Sequence, residues 1–184
     1  MNNTKNIIKS SNEKLIKLKS KIIDDIKYVL KDLEHINYTK SENKNYKISK
    51  ITSFDDTDNI MYGIGFYIIL SNYPSTDKTH KIIYNQCRPI YRGHGTLVKQ
   101  RIRSHLFKKC YDLDKKGTTY SVCMKIEPKI NGININEEPY KNYEWYVITF
   151  PLTNSTKFLR ECYEESFDIN YDTPIFSRDK KIKV

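Results

Sequence analysis

The chain carries only four cysteines in 184 residues, and no two of them form a CxxC pair. Cys87, Cys110, Cys123 and Cys162 also stand at no zinc-type spacing with the four histidines. They read as reduced thiols, which suits a cytoplasmic protein. Long apolar runs are missing too. The opening MNNTKNIIKSSNEK has no continuous apolar segment of the kind an export signal needs, and nothing approaches the ~20 apolar residues of a membrane span. Internal repeats and low-complexity tracts are absent. A disulfide scaffold, a zinc module and a membrane-spanning protein are thereby set aside, leaving an intracellular chain with no membrane partner.

Acidic residues are missing from one place in particular. Between Lys78 and Tyr111 there are nine Lys or Arg and no Asp or Glu, whereas residues 1–60 carry 12 Lys against nine acids. The formal net charge of +10 is therefore concentrated in one stretch. A field of that sign suits a polyanionic partner such as nucleic acid. The hydrophobic fraction of 38% is low but sufficient, at this length, for one domain with a core and an appended arm.

Along the chain, residues 11–36 place Leu15, Leu18, Ile22, Ile26, Val29 and Leu33 at helical spacing, with Ser11 or Asn12 available as a cap. Residues 1–59 read as this helical arm and a linker that includes a short strand at 47–53. Residues 60–184 read as the main domain. Strands are expected at 61–72, 81–93, 119–127 and 143–152, and helices at 96–109 and 153–169, before a tail. The mixture predicts an α/β (α+β) fold with a small, mostly antiparallel sheet flanked by helices.

The helix at 96–109 raises the chemical question. On a wheel of about 100° per residue, Arg101 and His105 fall at about 40° and 80° from Leu97, inside the arc of Val98, Ile102 and Leu106. A cation and an imidazole on an apolar arc need a partner. A snorkelling Arg and a satisfied core His would answer that need, and so would a bound phosphate.

These residues, with two short motifs upstream, resemble the GIY-YIG nucleases. Gly65-Phe66-Tyr67 stands for the first motif on one strand, and Tyr91-Arg92-Gly93 for the second on the next. Arg101 follows Tyr91 by ten residues, and His105 follows Arg101 by four, on the expected helix. The resemblance covers roughly residues 60–178 and implies a central three-stranded sheet. Two departures stand out: a long interval between Tyr67 and Tyr91, and Arg92 where an aliphatic residue is usual. The pair Gly93-His94 resembles that of restriction-enzyme members.

The resemblance implies an endonuclease that hydrolyses DNA phosphodiester bonds with Mg²⁺ or another divalent cation such as Mn²⁺. Tyr67 would be the general base and Arg101 the phosphate stabiliser. Tyr91 would position water or phosphate, and His94 or His105 would share proton transfer. A free tyrosine titrates near 10, so Tyr67 would depend on nearby positive charge. The metal ligand would be a Glu of the last helix, which offers Glu161, Glu164 and Glu165. Glu164 matches the family's surroundings, with Tyr163 before it and Phe167 and Tyr171 after it. The helical wheel instead places Glu165 nearer the stripe Phe158, Leu159, Cys162 and Ser166, and Glu144 at a strand start is a further candidate. Arg92, Lys99 and Arg103 are expected on the nucleic-acid surface. Double-stranded DNA is the expected partner, with a homodimer if its site is palindromic. A non-catalytic basic nucleic-acid-binding module on the same fold is the alternative.

Overall fold

The computed structural model describes residues 2–38, 44–73, 80–108, 124, 126 and 133–177. The chain begins with helix α1 (Asn2–Leu30) and a 3-10 segment (Lys31–Tyr38), followed by strand β1 (Lys47–Lys50). A 3-10 turn (Asp55–Asn59) leads to β2 (Gly65–Ser71), β3 (Arg88–Gly95) and α2 (Val98–Leu106). A further 3-10 turn (Tyr140–Asn142), β4 (Trp145–Pro151) and α3 (Lys157–Tyr171) complete the order. Among the described residues no helix is long and apolar enough to cross a membrane.

The strands form one antiparallel sheet in the order β1-β4-β2-β3. It has four strands rather than the three expected. The extra one is β1, an edge strand supplied by the segment read as arm and linker, which pairs Ile48 with Ile148 of β4. The strand expected at 119–127 lies outside the described residues apart from Met124 and Ile126, neither of which is in a strand.

Strand β2 is buried along all seven residues, as a central strand covered on both faces must be. Its alternation divides the core. Phe66, Ile68 and Leu70 pack with α1 and α3 residues such as Ile26, Leu30, Cys162 and Phe167. Tyr67 and Ile69 pack with Tyr91, Val98, Ile102 and Leu106 on the α2 side. The sheet is thus the middle of three layers.

Helix α1 starts nine residues before its expected beginning, because Asn2–Ser10 contain no Pro or Gly to stop it. Only its C-terminal half enters the core, through Ile23, Ile26 and Leu30. The Ser166 hydroxyl donates to the Ile23 carbonyl at 2.9 Å and the Tyr171 hydroxyl to that of Leu30 at 3.0 Å, tying α1 to α3. Residues 1–59 therefore contribute both a strand and one wall of the core. The first half of α1 leaves Ile8, Leu15 and Leu18 more than half exposed. Helix α3 is capped by Thr156, whose side chain accepts from the Leu159 amide at 3.2 Å.

Part of the tail also has structure. The Phe176 amide donates to the Ile90 carbonyl at 3.0 Å, and the Arg92 amide donates to Ser177 Oγ at 3.0 Å. The tail thus covers part of β3, an edge strand whose backbone groups would otherwise be open to another chain.

Candidate active site

Register decides what meets what. Tyr67 pairs with Gly93 and Ile69 with Tyr91, so the odd-numbered residues of β3 from Tyr91 to Gly95 face α2. Phe66 pairs with His94 and Ile68 with Arg92, so those two face α3. The residues singled out by the sequence consequently form two clusters, one on each face of β3, meeting at Gly93.

On the α2 face, the Tyr67 hydroxyl and His105 Nε2 form a 2.8 Å hydrogen bond, and Arg101 Nε donates to the same hydroxyl at 3.4 Å. The Tyr91 ring lies 4.6 Å from that of His105, centroid to centroid. Tyr67 and His105 are buried and Arg101 is half-buried, so Arg101 is the outermost of the three. Burial, and then the Arg101 charge, hold the His105 imidazole well below its ordinary pKa, so it is neutral near pH 7. With its proton on Nδ1, the ring accepts a hydrogen bond from the Tyr67 hydroxyl at Nε2. With its proton on Nε2, His105 and Arg101 both donate to the Tyr67 oxygen. The second arrangement, with two donors, stabilises negative charge on that oxygen, whereas the first does not.

Two glycines make the room this cluster needs. A Cβ on Gly93 would lie 2.7 Å from the Tyr67 oxygen and 2.9 Å from Cζ, and a Cβ on Gly95 would lie 2.5 Å from Arg101 Cδ. Gly65 is required for another reason. A Cβ there would stand 2.4 Å from the Phe150 carbonyl oxygen of β4. The first and last positions of the two motifs are therefore glycines because atoms of the sheet and site occupy the volume of a side chain.

On the α3 face, Arg92 is buried, which corrects its expected place on the nucleic-acid surface. Its Nε donates to Asp168 Oδ1 at 2.9 Å and its NH2 to Asp168 Oδ2 at 2.5 Å, a bidentate fork. Its NH1 lies 3.5 Å from Glu164 Oε1. The guanidinium stays charged, its partners on α3 outweighing the burial that acts against the charge. A residue usually aliphatic can be Arg here because α3 supplies two carboxylates to meet it. His94 Nε2 lies 3.9 Å from Glu164 Oε2, so the structure puts this histidine beside the carboxylate and not beside Tyr67.

The other candidates are placed elsewhere. Glu165 pairs with Lys19 of α1 at 2.5 Å, Glu161 with Lys157 at 3.9 Å, and Glu144 with Lys50 at 2.7 Å. Of the acids proposed as metal ligands, Glu164 is the one beside the second motif. Lys99 and Arg103, expected on the nucleic-acid surface, are anchors for α2. Both reach Asp58, at 3.3 and 2.8 Å, and Arg103 also donates to Thr57 Oγ1 at 2.6 Å and lies over the Phe54 ring. Asp168, Asp58 and Gly95 were not singled out from the sequence. Asp168 was findable in principle, standing one helical turn after Glu164.

No family model matches the chain, and no curated protein or solved structure matches it either. The resemblance to the GIY-YIG nucleases rests on the motif residues and their spacing in the sequence.

The Glu164 surroundings fit a hard divalent cation in charge and donor type. Arg92, Asp168 and Glu164 together carry one net negative charge where Glu164 is almost wholly buried. The 3.9 Å between Glu164 Oε2 and His94 Nε2 is too long for a hydrogen bond. Among the described residues no cluster of three or more His, Cys, Asp or Glu could hold a metal ion. A cation here would depend on one protein carboxylate, on its own waters and on substrate oxygens, as Mg²⁺ commonly does.

Proposed function

We propose that the chain is a divalent-cation-dependent endonuclease acting on double-stranded DNA, most simply a sequence-specific restriction enzyme. The observation that carries this reading is the Tyr67 hydroxyl held between a neutral imidazole and a guanidinium, His105 at 2.8 Å and Arg101 at 3.4 Å. Ordinary core packing does not call for an imidazole and a half-buried guanidinium converging on one buried hydroxyl.

Arg101 would meet a phosphodiester first, since it is the most exposed of the three. A guanidinium offers five donors in a plane, and the Tyr67 contact uses one of them. Donors directed to the non-bridging oxygens stabilise the charge that develops on them. Tyr67 would accept the proton of the attacking water, with His105 stabilising the phenolate or relaying the proton. Tyr91 holds the His105 ring in place. Glu164, across β3 from Tyr67 and Arg101, would hold the cation, which when bound would supply charge neutralisation to the phosphodiester. The positive charge that the sequence concentrates in 78–111 would favour association with the duplex.

The test is incubation of mixed plasmid and phage DNA with the protein, in Mg²⁺ and in EDTA, with sequencing of the ends. Discrete Mg²⁺-dependent fragments sharing one end sequence are expected. Salt-sensitive binding with no cleavage of any substrate would replace this reading by a non-catalytic nucleic-acid-binding module on the same fold.

A further inference from the structure

We infer that Asp168 and Arg92 are a positioning pair that sets how much negative charge Glu164 presents to a divalent cation, Asp168 acting through the guanidinium without touching the ion. This rests on the reading of Glu164 as the metal ligand. The geometry is directional. Asp168 takes two donors of the fork, at 2.9 and 2.5 Å, while Glu164 receives only the third nitrogen, at 3.5 Å. The second distance exceeds an ordinary N–H···O bond, so the guanidinium steers Glu164 while its charge is matched mainly by Asp168.

Arg92 is fixed on its other side as well, because its amide donates to Ser177 Oγ at 3.0 Å and its side chain is enclosed between β3 and α3. It cannot turn to grip Glu164 with both prongs without leaving Asp168. The resulting arrangement sets beside a metal-type carboxylate an arginine whose fork is already engaged by Asp168. Without Asp168, the same arginine would neutralise Glu164 and oppose the cation.

Charge-changing variants of the full chain separate this from mere packing, with Mn²⁺ as the probe and its binding followed by electron paramagnetic resonance in the absence of DNA. Asp168→Asn keeps the shape and one acceptor and is expected to weaken Mn²⁺ binding about tenfold, in the range seen for partners of metal ligands. Arg92→Met is expected to strengthen it. The double variant Arg92→Met/Asp168→Asn restores the wild-type net charge and is expected to bind within about threefold of wild type. Because it removes the buried arginine together with its half-buried partner, it leaves neither charge of that pair without the other, and melting curves check this. Asp168→Asn binding like wild type, or the double variant binding as weakly as Asp168→Asn, would overturn the inference. Glu164→Gln marks the other failure. If it abolishes Mn²⁺ binding while Asp168→Asn has no effect, only the positioning pair is wrong. If Glu164→Gln still binds Mn²⁺, or wild type binds none in the millimolar range, the ligand reading itself fails.

Discussion

Replacing Gly93 with alanine adds one methyl group and should damage the site more than its size suggests. The new Cβ would lie 2.7 Å from the Tyr67 oxygen, about 0.7 Å inside the 3.4 Å at which ordinary contact begins. The obstacle is a fully buried ring, flanked by Tyr91 and His105 at centroid distances of 6.2 and 6.0 Å. Either the phenol tip moves by most of that amount or β3 does. A shift of this size along those bonds would take the 3.4 Å bond from Arg101 beyond hydrogen-bonding range and the 2.8 Å bond to His105 to its limit. Overpacking of this kind costs about 1–3 kcal/mol of stability. A misplacement approaching 1 Å costs a reaction about a hundredfold. The assay is single-turnover cleavage of a duplex at saturating enzyme, beside a thermal melt. Gly93→Ala should cleave about a hundredfold more slowly and melt lower. Gly93→Ala/Tyr67→Phe, which removes the oxygen in the closest contact, should recover part of the melting temperature and none of the cleavage. A Gly93→Ala protein that melts and cleaves like wild type would refute the packing argument, and one that melts lower but cleaves normally would remove Tyr67 from the chemistry.

Arg101→Ala should lower cleavage by at least about a hundredfold while most DNA affinity and the melting temperature survive, which filter binding and melting curves check. His105 is held neutral when folded but protonates near pH 6.5 when unfolded, so the unfolded chain binds more protons below that pH. Its contribution to stability is therefore fully present above about pH 6.5 and falls by up to about 1.4 kcal/mol per unit as the pH drops below it. Melts at pH 7.5 and 5.5 should show a larger loss for wild type than for His105→Gln. Tyr171→Phe removes the 3.0 Å bond to the buried Leu30 carbonyl and should cost about 1–2 kcal/mol in urea unfolding.

What could be read from the sequence was local. Arg101 and His105 on an apolar arc are a periodicity signal, and the structure answers it with the Tyr67 hydroxyl. A strand at 61–72 was legible, and register then explains why Gly93 lies opposite Tyr67. Pairings between distant segments were not legible. Arg92 and Asp168 stand 76 positions apart, and Arg103 and Asp58 stand 45 apart. Whether such cations face solvent or a carboxylate depends on which helix covers which sheet face, and a wheel drawn on one helix carries no such information. For β1, a short strand at 47–53 was expected, but not that it would join the sheet beside β4. Four residues, KISK, become a strand only because β4 offers an edge to pair with. The wheel that favoured Glu165 is overturned by packing: Glu164 is the buried one, and Glu165 is partly exposed and pairs with Lys19 of α1.

The most direct measurement of the central claim is single-turnover DNA cleavage in Mg²⁺ by wild type and by Tyr67→Phe. The substitution removes one oxygen and leaves the ring packed between β3 and α2. Mg²⁺-dependent cleavage by wild type that falls at least about a hundredfold in a Tyr67→Phe protein of unchanged fold is the predicted result. Cleavage by Tyr67→Phe at the wild-type rate would contradict the account.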